Sequence, residues 1–332
     1  MVNTYRESTR QSWKNYVFKV VSVNMNALAG QMSPAVEKID LSKLSVIVGE
    51  PDKHDAQEME RQLGVLGMRD VKIFRNMDRV AQAVHGEEAD LLLCNMFGNE
   101  SQARRIFSGV RNQQVGDNPF MVMMSMAGMM TEDDVRQPID SGTDDLITLP
   151  FRRDNFVTRL NDLAWHRKKF VATATYVGPT RRSEYRDGEQ GTEEFDVPNP
   201  VYTIGTGKPR AELRQQIQIS SVQLNERKLN ADVQAIRNLL QEIHPFYQLS
   251  QIDKDFMNKV DLMHDVIQSV QSRAKRMGYD NLLHLCDIAG NITADIKETP
   301  KPPNLRHLRA MPKLVEGLDL ALSMGTEQLA TA

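Results

Sequence analysis

The sequence predicts an α/β domain with a parallel five-stranded sheet, followed by an all-α four-helix bundle. Three observations carry this. Between residues 44 and 170, short apolar runs alternate with amphipathic stretches of helical length, the pattern of βαβ units and a parallel sheet. Between residues 213 and 297, apolar residues recur at spacings of three and four, the helical period. Between the two, residues 171–212 turn rich in charge, Gly and Pro. The 332 residues leave room for about two domains of roughly 150 residues, each able to bury a core.

Residues 1–43 form an N-terminal extension with little periodicity. Trp13–Val23 fits a short strand or a helix alike. Asn24–Lys43 reads as a connection with one weak helical turn, and no chemistry is visible there. The sheet domain, 44–170, has strands at Ser45–Val48, Val71–Phe74, Asp90–Cys94, Phe120–Met124 and Leu146–Thr148. Its helices fall at 52–66, 77–86, 100–112, 131–141 and 152–170. Leu91-Leu92-Leu93 and Met121-Val122-Met123-Met124 are continuous apolar runs, as strands buried on both faces require. In such a sheet a site lies beyond the carboxyl ends of the strands.

Residues 171–212 read as a linker, or as an extended tail draped over the first domain. Val201–Ile204, between Pro200 and Gly205, is expected as an isolated strand. The bundle spans 213–328. Val233, Ile236, Leu240 and Ile243 mark one helix, and His244 before Pro245 reads as its end. Val260, Met263, Ile267, Val270, Ala274 and Met277 mark the next, with Lys275 and Arg276 in its last turn and Gly278 as its stop. Tyr279–Ile296 forms a third, in which His284 is a core or edge residue. Pro300, Pro302 and Pro303 break the chain before a last helix containing Leu308, Met311, Leu314 and Leu318. Short connections imply an antiparallel bundle.

Composition narrows the function. Forty-one basic and 44 acidic residues give a net charge of −3, so no overall positive field draws the chain onto nucleic acid. Cys94 and Cys286 each sit alone in an apolar run, which excludes a disulfide framework or a cysteine zinc site. The longest strongly apolar stretch without charge, Pro119–Thr131, is too short to span a bilayer. The N-terminus lacks the apolar core of a signal peptide. A cytoplasmic protein is expected, with no membrane partner.

The segment Gly142-Thr143-Asp144-Asp145-Leu146-Ile147-Thr148-Leu149-Pro150-Phe151 resembles the G-A-D-D-Y-L-x-K-P-F run of bacterial two-component receiver domains. With the order and spacing of the runs, the resemblance spans roughly 44–165 and implies a flavodoxin-like (βα)5 fold. A working receiver uses an Asp at the end of the third strand as nucleophile. Two acidic residues after the first strand help to hold Mg²⁺. A hydroxyl after the fourth strand and a Lys after the fifth grip the phosphate, and an aromatic residue on the fifth strand acts as a switch.

This sequence departs at nearly every position. The nucleophile position is Asn95, whose neutral amide cannot form an acyl phosphate and adds no charge to a metal site. The acidic pair is Glu50 and Pro51, and Asp52 is free to cap the first helix instead. Ser125 is the candidate hydroxyl, although counting back from Leu149 lands nearer Ala127. The switch position is Leu146 and the Lys position is Leu149. Neither a metal nor a cofactor is expected. Asn95 is read first as satisfying hydrogen bonds at the sheet edge; a functional variant is that it fixes one conformation that partners read.

The helical half resembles a histidine-phosphotransfer domain, whose reactive helix reads H-x-x-K-G with a Gly some ten residues after the His. Counting back from Gly278 puts Gln268 at the His position, Gln271 at the Lys and Ser272 at the Gly. His264 lies one turn before Gln268 on nearly the same face. It is the alternative phosphoacceptor, against the plainer reading of an ordinary bundle histidine.

Two further motifs matter. Tyr176-Val177-Gly178-Pro179-Thr180-Arg181-Arg182 resembles an alphaproteobacterial extension after receivers. Its arginines are expected as a solvated basic patch rather than a clamp. Gly205-Thr206-Gly207-Lys208 lacks phosphate-loop spacing and reads as a turn. Met126, Met129 and Met130 are expected in the loop after the fourth strand as an adaptable partner contact, with Gln271 and Lys275 as bundle contacts.

The resemblances imply a non-enzymatic, phosphorylation-independent response-regulator-like protein, acting by protein–protein binding in a phosphorelay context. Its partners would be a histidine kinase, a receiver or another regulator, not nucleic acid, and a homodimer stays open. The alternative is an active phosphotransfer protein using His264, with the receiver half as docking platform.

Overall fold

The computed structural model describes residues 38–86, 88–96, 98–128, 140–181 and 193–330, the side chains of 323–330 apart. Residues 1–37 of the N-terminal extension, most of the helix expected at 131–141, and Met129, Met130 and Arg182 lie outside the described residues.

Strands β1 (Ser45–Gly49), β2 (Asp70–Phe74), β3 (Leu91–Asn95), β4 (Val122–Ala127) and β5 (Asp145–Thr148) form one parallel sheet in the order β2-β1-β3-β4-β5. This is the flavodoxin-like order. Helices α1 (Lys53–Val65), α2 (Met77–Gly86) and α3 (Glu100–Arg111) make the crossovers, and α4 (Arg153–His166) follows β5. The three central strands β1, β3 and β4 are buried on both faces, so their side chains feed two cores alternately. Val46, Val48, Leu91, Leu93, Val122, Met124 and Ile147 pack on one side with Leu63 of α1 and Phe156 and Leu160 of α4. Ile47, Leu92, Cys94 and Met123 pack on the other with Val80 of α2 and Phe107 and Val110 of α3.

β4 runs three residues beyond its last expected strand residue Met124, to Ala127. Met126 therefore lies inside the strand, fully buried in the first of these cores. That overturns its assignment as an exposed contact residue.

The described part of 171–212 is packed. β6 (Phe170–Ala172) and β7 (Val177–Pro179) form an antiparallel hairpin, and Phe195 bridges to Phe170. Phe120, Phe170, Val177, Phe195 and Leu224 share a small core. Pro200–Gly205 is a helix, α5, not the expected strand. Asn199 caps it by accepting from Tyr202 N, and Pro200 occupies its first turn, where a missing N–H is harmless. The Gly205–Lys208 segment is a turn, with Gly207 at φ +85°.

The hairpin sits against Gly142. That residue has φ +87°, and a Cβ there would lie 2.6 Å from the Val177 carbonyl oxygen and 2.9 Å from Arg111 Cγ. Gly142→Ala is expected to cost about 1–3 kcal/mol from overpacking. Urea unfolding checks this, and an unchanged midpoint would mean that the hairpin does not depend on that contact.

Helices α6 (Arg210–Gln248), α7 (Lys254–Met277), α8 (Asp280–Glu298) and α9 (Leu305–Ala330) form the helical half. α6 and α8 each touch α7 and α9, which closes a four-helix bundle around Val233, Ile236, Val260, Ile267, Cys286, Ala289 and Leu314. Asp253 caps α7 by accepting from Phe256 N, and Gly278 ends it at φ 74°. α6 starts earlier than expected and runs past Pro245, so His244 is inside it. The His244 ring lies 3.1 Å from the Leu308 carbonyl oxygen. His284 is exposed on α8, which excludes its core placement.

Candidate functional site

β1 and β3 are neighbours from which the chain departs in opposite directions across the sheet, the switch point where such folds bind ligands. Glu50 follows β1 and Asn95 ends β3. Both are buried, Glu50 to 1% and Asn95 to 6% exposure. Asn95 Nδ2 donates to both carboxylate oxygens of Glu50, at 3.1 and 2.9 Å. Asp52 N donates to Glu50 Oε1 at 3.1 Å. The Glu50 carboxylate is thus met by two N–H donors of the protein itself.

Pro51 supplies no carboxylate; its carbonyl accepts from Arg75 Nε at 3.1 Å. Asp52 is spent as the cap of α1, accepting from His54 N at 2.7 Å and Asp55 N at 2.9 Å. Those amide bonds, Asp55 first, hold its carboxyl below the usual range. Among the described residues, no group of three or more His, Cys, Asp or Glu is placed to hold a metal ion.

Burial pushes the Glu50 carboxyl above the usual range, against the bonds from Asn95 and Asp52. A carboxyl that binds its proton more tightly when folded loses stability as pH rises between its ordinary and its raised pKa. The protein should therefore gain stability as pH falls through the raised value, with the gain complete below the ordinary 4.5. Glu50→Gln should lack that gain, so urea midpoints of the two proteins should converge on acidification. Parallel profiles would rule out a raised Glu50.

Ser125 is fully buried, pairs with Cys94 and Leu146, and approaches the Asp145 carbonyl only at 3.5 Å. Ala127, paired with Thr148, ends β4. The Ser125 hydroxyl is thus inside the sheet, and the residue at the strand end is Ala127. Leu146 is half-buried against the α3 core and Leu149 against the α4 core. Neither brings polarity to the edge.

On the bundle, Gln268 is exposed and His264 half-buried on α7. Their Nε2 atoms lie 3.0 Å apart, and His264 Nδ1 lies 3.4 Å from Thr293 Oγ1. Gln271 Nε2 donates to Asp287 Oδ1 at 2.7 Å. Lys275 is exposed.

Two arrangements escaped the sequence reading. One is an ionic hub beneath β5. Asp144 Oδ2 accepts from Arg111 Nη2 at 2.7 Å, and Asp144 Oδ1 from Arg167 Nε at 2.9 Å. Met123 N also donates to Asp144 Oδ2, at 2.8 Å. Arg111 reaches the carbonyls of Gly142, Pro119 and Met121, and both guanidinium groups lie over the Phe170 ring at 4.8 and 5.0 Å. Burial raises the Asp144 carboxyl, and the charges of Arg167 and Arg111 outweigh it, so the net shift is downward. Burial also pushes Arg111 down to about 10. Arg181 extends this region by donating to the Thr143 carbonyl, so it is a clamp rather than a solvated charge.

The other arrangement joins the sheet domain to α6. Arg210 grips Asp90 with two bonds of 2.9 Å, while Asp90 Oδ2 also accepts from Ser45 N. Arg214 grips Glu88 at 2.6 and 2.9 Å. Arg273 of α7 donates to Asn112 and Asn225. The bonds to Asp90, Glu88 and Asn112 lie at the amino ends of the strands, the opposite end of the sheet from Asn95.

Comparison with solved structures finds similarity over the sheet domain. A response regulator from Thermotoga maritima is 18% identical, over 36% of this chain and 97% of that one, with a TM-score of 0.32. The receiver domain of the Francisella response regulator 1452 is 20% identical, over 36% and 95%, with a TM-score of 0.32. The receiver domain of the sensor histidine kinase PA1611 from Pseudomonas aeruginosa, solved with magnesium in its cleft, is 16% identical, over 36% and 94%, with a TM-score of 0.32. No family model matches the chain. No curated protein matches it either. No described helix is long and apolar enough to cross a membrane.

Proposed function

We propose that the chain is a phosphorylation-independent signalling protein of receiver ancestry that acts by binding other components of a two-component pathway. The observation that carries this reading is the Asn95 amide on the Glu50 carboxylate. In a receiver that carboxylate faces Mg²⁺; here a neutral amide, itself no nucleophile, meets it. Ala127, at the end of β4, and Leu149, just after β5, bring no hydroxyl or ammonium to a phosphoryl group. The carboxyl end of the sheet, the exposed side of α4 and the α7 face bearing Gln268, Gln271 and Lys275 are the surfaces proposed for a kinase, a receiver or another regulator.

The test is intact-mass measurement after incubation with Mg²⁺ and acetyl phosphate, or with a phosphorylated receiver. No added phosphate is expected. A base-labile adduct on the sheet domain would overturn the reading. An acid-labile, base-stable adduct lost in His264→Gln would favour relay through His264. That alternative is the weaker because both ring nitrogens of His264 already face hydrogen-bond partners.

A further inference from the structure

A cleft of about 580 Å³ lies between α6 and the loops leading into β3 and β4, within the size range of small-molecule sites and at a junction where they concentrate. It is remote from the Glu50–Asn95 edge, at the other end of the strands. Val84, Ala89, Leu213 and Ile217 give it an apolar wall. Its charged groups are not equally engaged. Arg210 and Arg214 are gripped in bidentate pairs by Asp90 and Glu88.

Arg276 at the rim is different. It donates only from Nη1, to the Gln113 carbonyl at 3.2 Å. A guanidinium carries five N–H donors, and Arg276 is exposed, so its other four are open to water and to a ligand. Asp117 shares the rim but forms no ion pair with Arg276 among the described contacts. In the same lining, the Ser221 hydroxyl is shielded from water and has no hydrogen-bond partner among the described residues. Unsatisfied buried groups are rare in folded proteins and ask for an occupant. A buried unpartnered hydroxyl and an accessible guanidinium beside an apolar wall suit an acceptor on a hydrocarbon body.

We propose that this cleft binds a small amphipathic carboxylate, its hydrocarbon part against Leu213 and Ile217 and its carboxylate on Arg276 and Ser221. Such a ligand would bridge α6 to the sheet domain. It would give a protein without phosphorylation chemistry an input that bypasses Glu50 and Asn95. The site stands on the cleft itself and does not depend on how the Glu50–Asn95 edge behaves.

Calorimetric titration of the full chain with dodecanoate, below its micellar concentration, tests this, with dodecanol and dodecyltrimethylammonium as controls. The expected result is saturable one-to-one binding at least tenfold tighter than either control. Arg276→Gln should weaken it at least tenfold. Ser221→Ala should weaken it less, and Ile217→Trp should fill the wall and abolish it. Urea midpoints of the variants establish that they fold. Lack of saturable binding, equal binding of the cationic control, or indifference to Arg276→Gln in a folded variant would each overturn the proposal.

Discussion

Asp144→Ala is expected to destabilise the protein by about 3–5 kcal/mol, the cost of breaking a buried ion pair by removing one partner. The Asp144 and Arg111 side chains are 1% and 0% exposed, and Arg167 is 4% exposed. Removing the carboxylate strands two guanidinium groups over an aromatic ring, where water cannot reach them. The carbonyls around Arg111 satisfy N–H donors but supply no countercharge. Arg159→Ala is the contrasting variant. Its pair with Asp145 is part-exposed at 19% and 23%, so screening keeps the loss to about 1 kcal/mol or less. Because the Asp144 carboxyl sits below its ordinary pKa, its contribution is present above that ordinary value and is lost as pH falls through the lowered one. Urea unfolding of both variants at neutral pH checks the ranking. Similar losses would mean that the hub is not the anchor of β5.

Asn95→Asp is expected to act in the opposite chemical sense, by adding a charge. It replaces an amide donor 2.9 Å from Glu50 with a second carboxylate. Two like charges about 3 Å apart repel by about 5 kcal/mol at an effective dielectric of about 20. Uptake of one proton by the pair limits the net loss to about 2–4 kcal/mol at neutral pH. A divalent cation relieves the repulsion without a proton, so millimolar Mg²⁺ should raise the melting temperature of the variant and leave the native protein unmoved. Thermal unfolding with and without Mg²⁺ decides it. Equal stabilisation of both proteins would show that Glu50 already holds a cation and would remove the basis of the proposed function.

The sheet was readable in the sequence because strands buried on both faces must be apolar throughout, and Leu91–Leu93 and Met121–Met124 are. The residues at the sheet's carboxyl edge could be named because they follow the strand ends. What those residues do to one another was not readable. Asn95 and Glu50 are 45 positions apart, and no local rule says that an amide will turn its two hydrogens onto a carboxylate. The hub was hidden for the same reason: Asp144 lies in a familiar segment, but its partners come from the end of α3 and from beyond α4. Val201–Ile204 failed differently. Its β-branched residues favour a strand, while Asn199, Pro200 and Gly205 are the start and stop of a short helix, and packing against α4 and the sheet core sided with the stop signals. Met126 failed by two residues of strand length, which turned an apparent loop residue into core.

The junction between the halves has a practical consequence for dissecting the molecule. α6 has 39 residues and so extends for about 58 Å at 1.5 Å per residue. Its first turns serve the sheet domain, where Leu213 and Ile217 join a core. Leu224 joins the hairpin core. From Leu229 onward its buried residues belong to the bundle. Fragments cut at the composition boundary near residue 212 would saw through this beam near its end. The sheet fragment would lose the lid on its lower core, and the bundle fragment would carry a sticky, half-apolar rod. A gene fragment that ends after Leu224 retains the helix surface that the sheet domain uses.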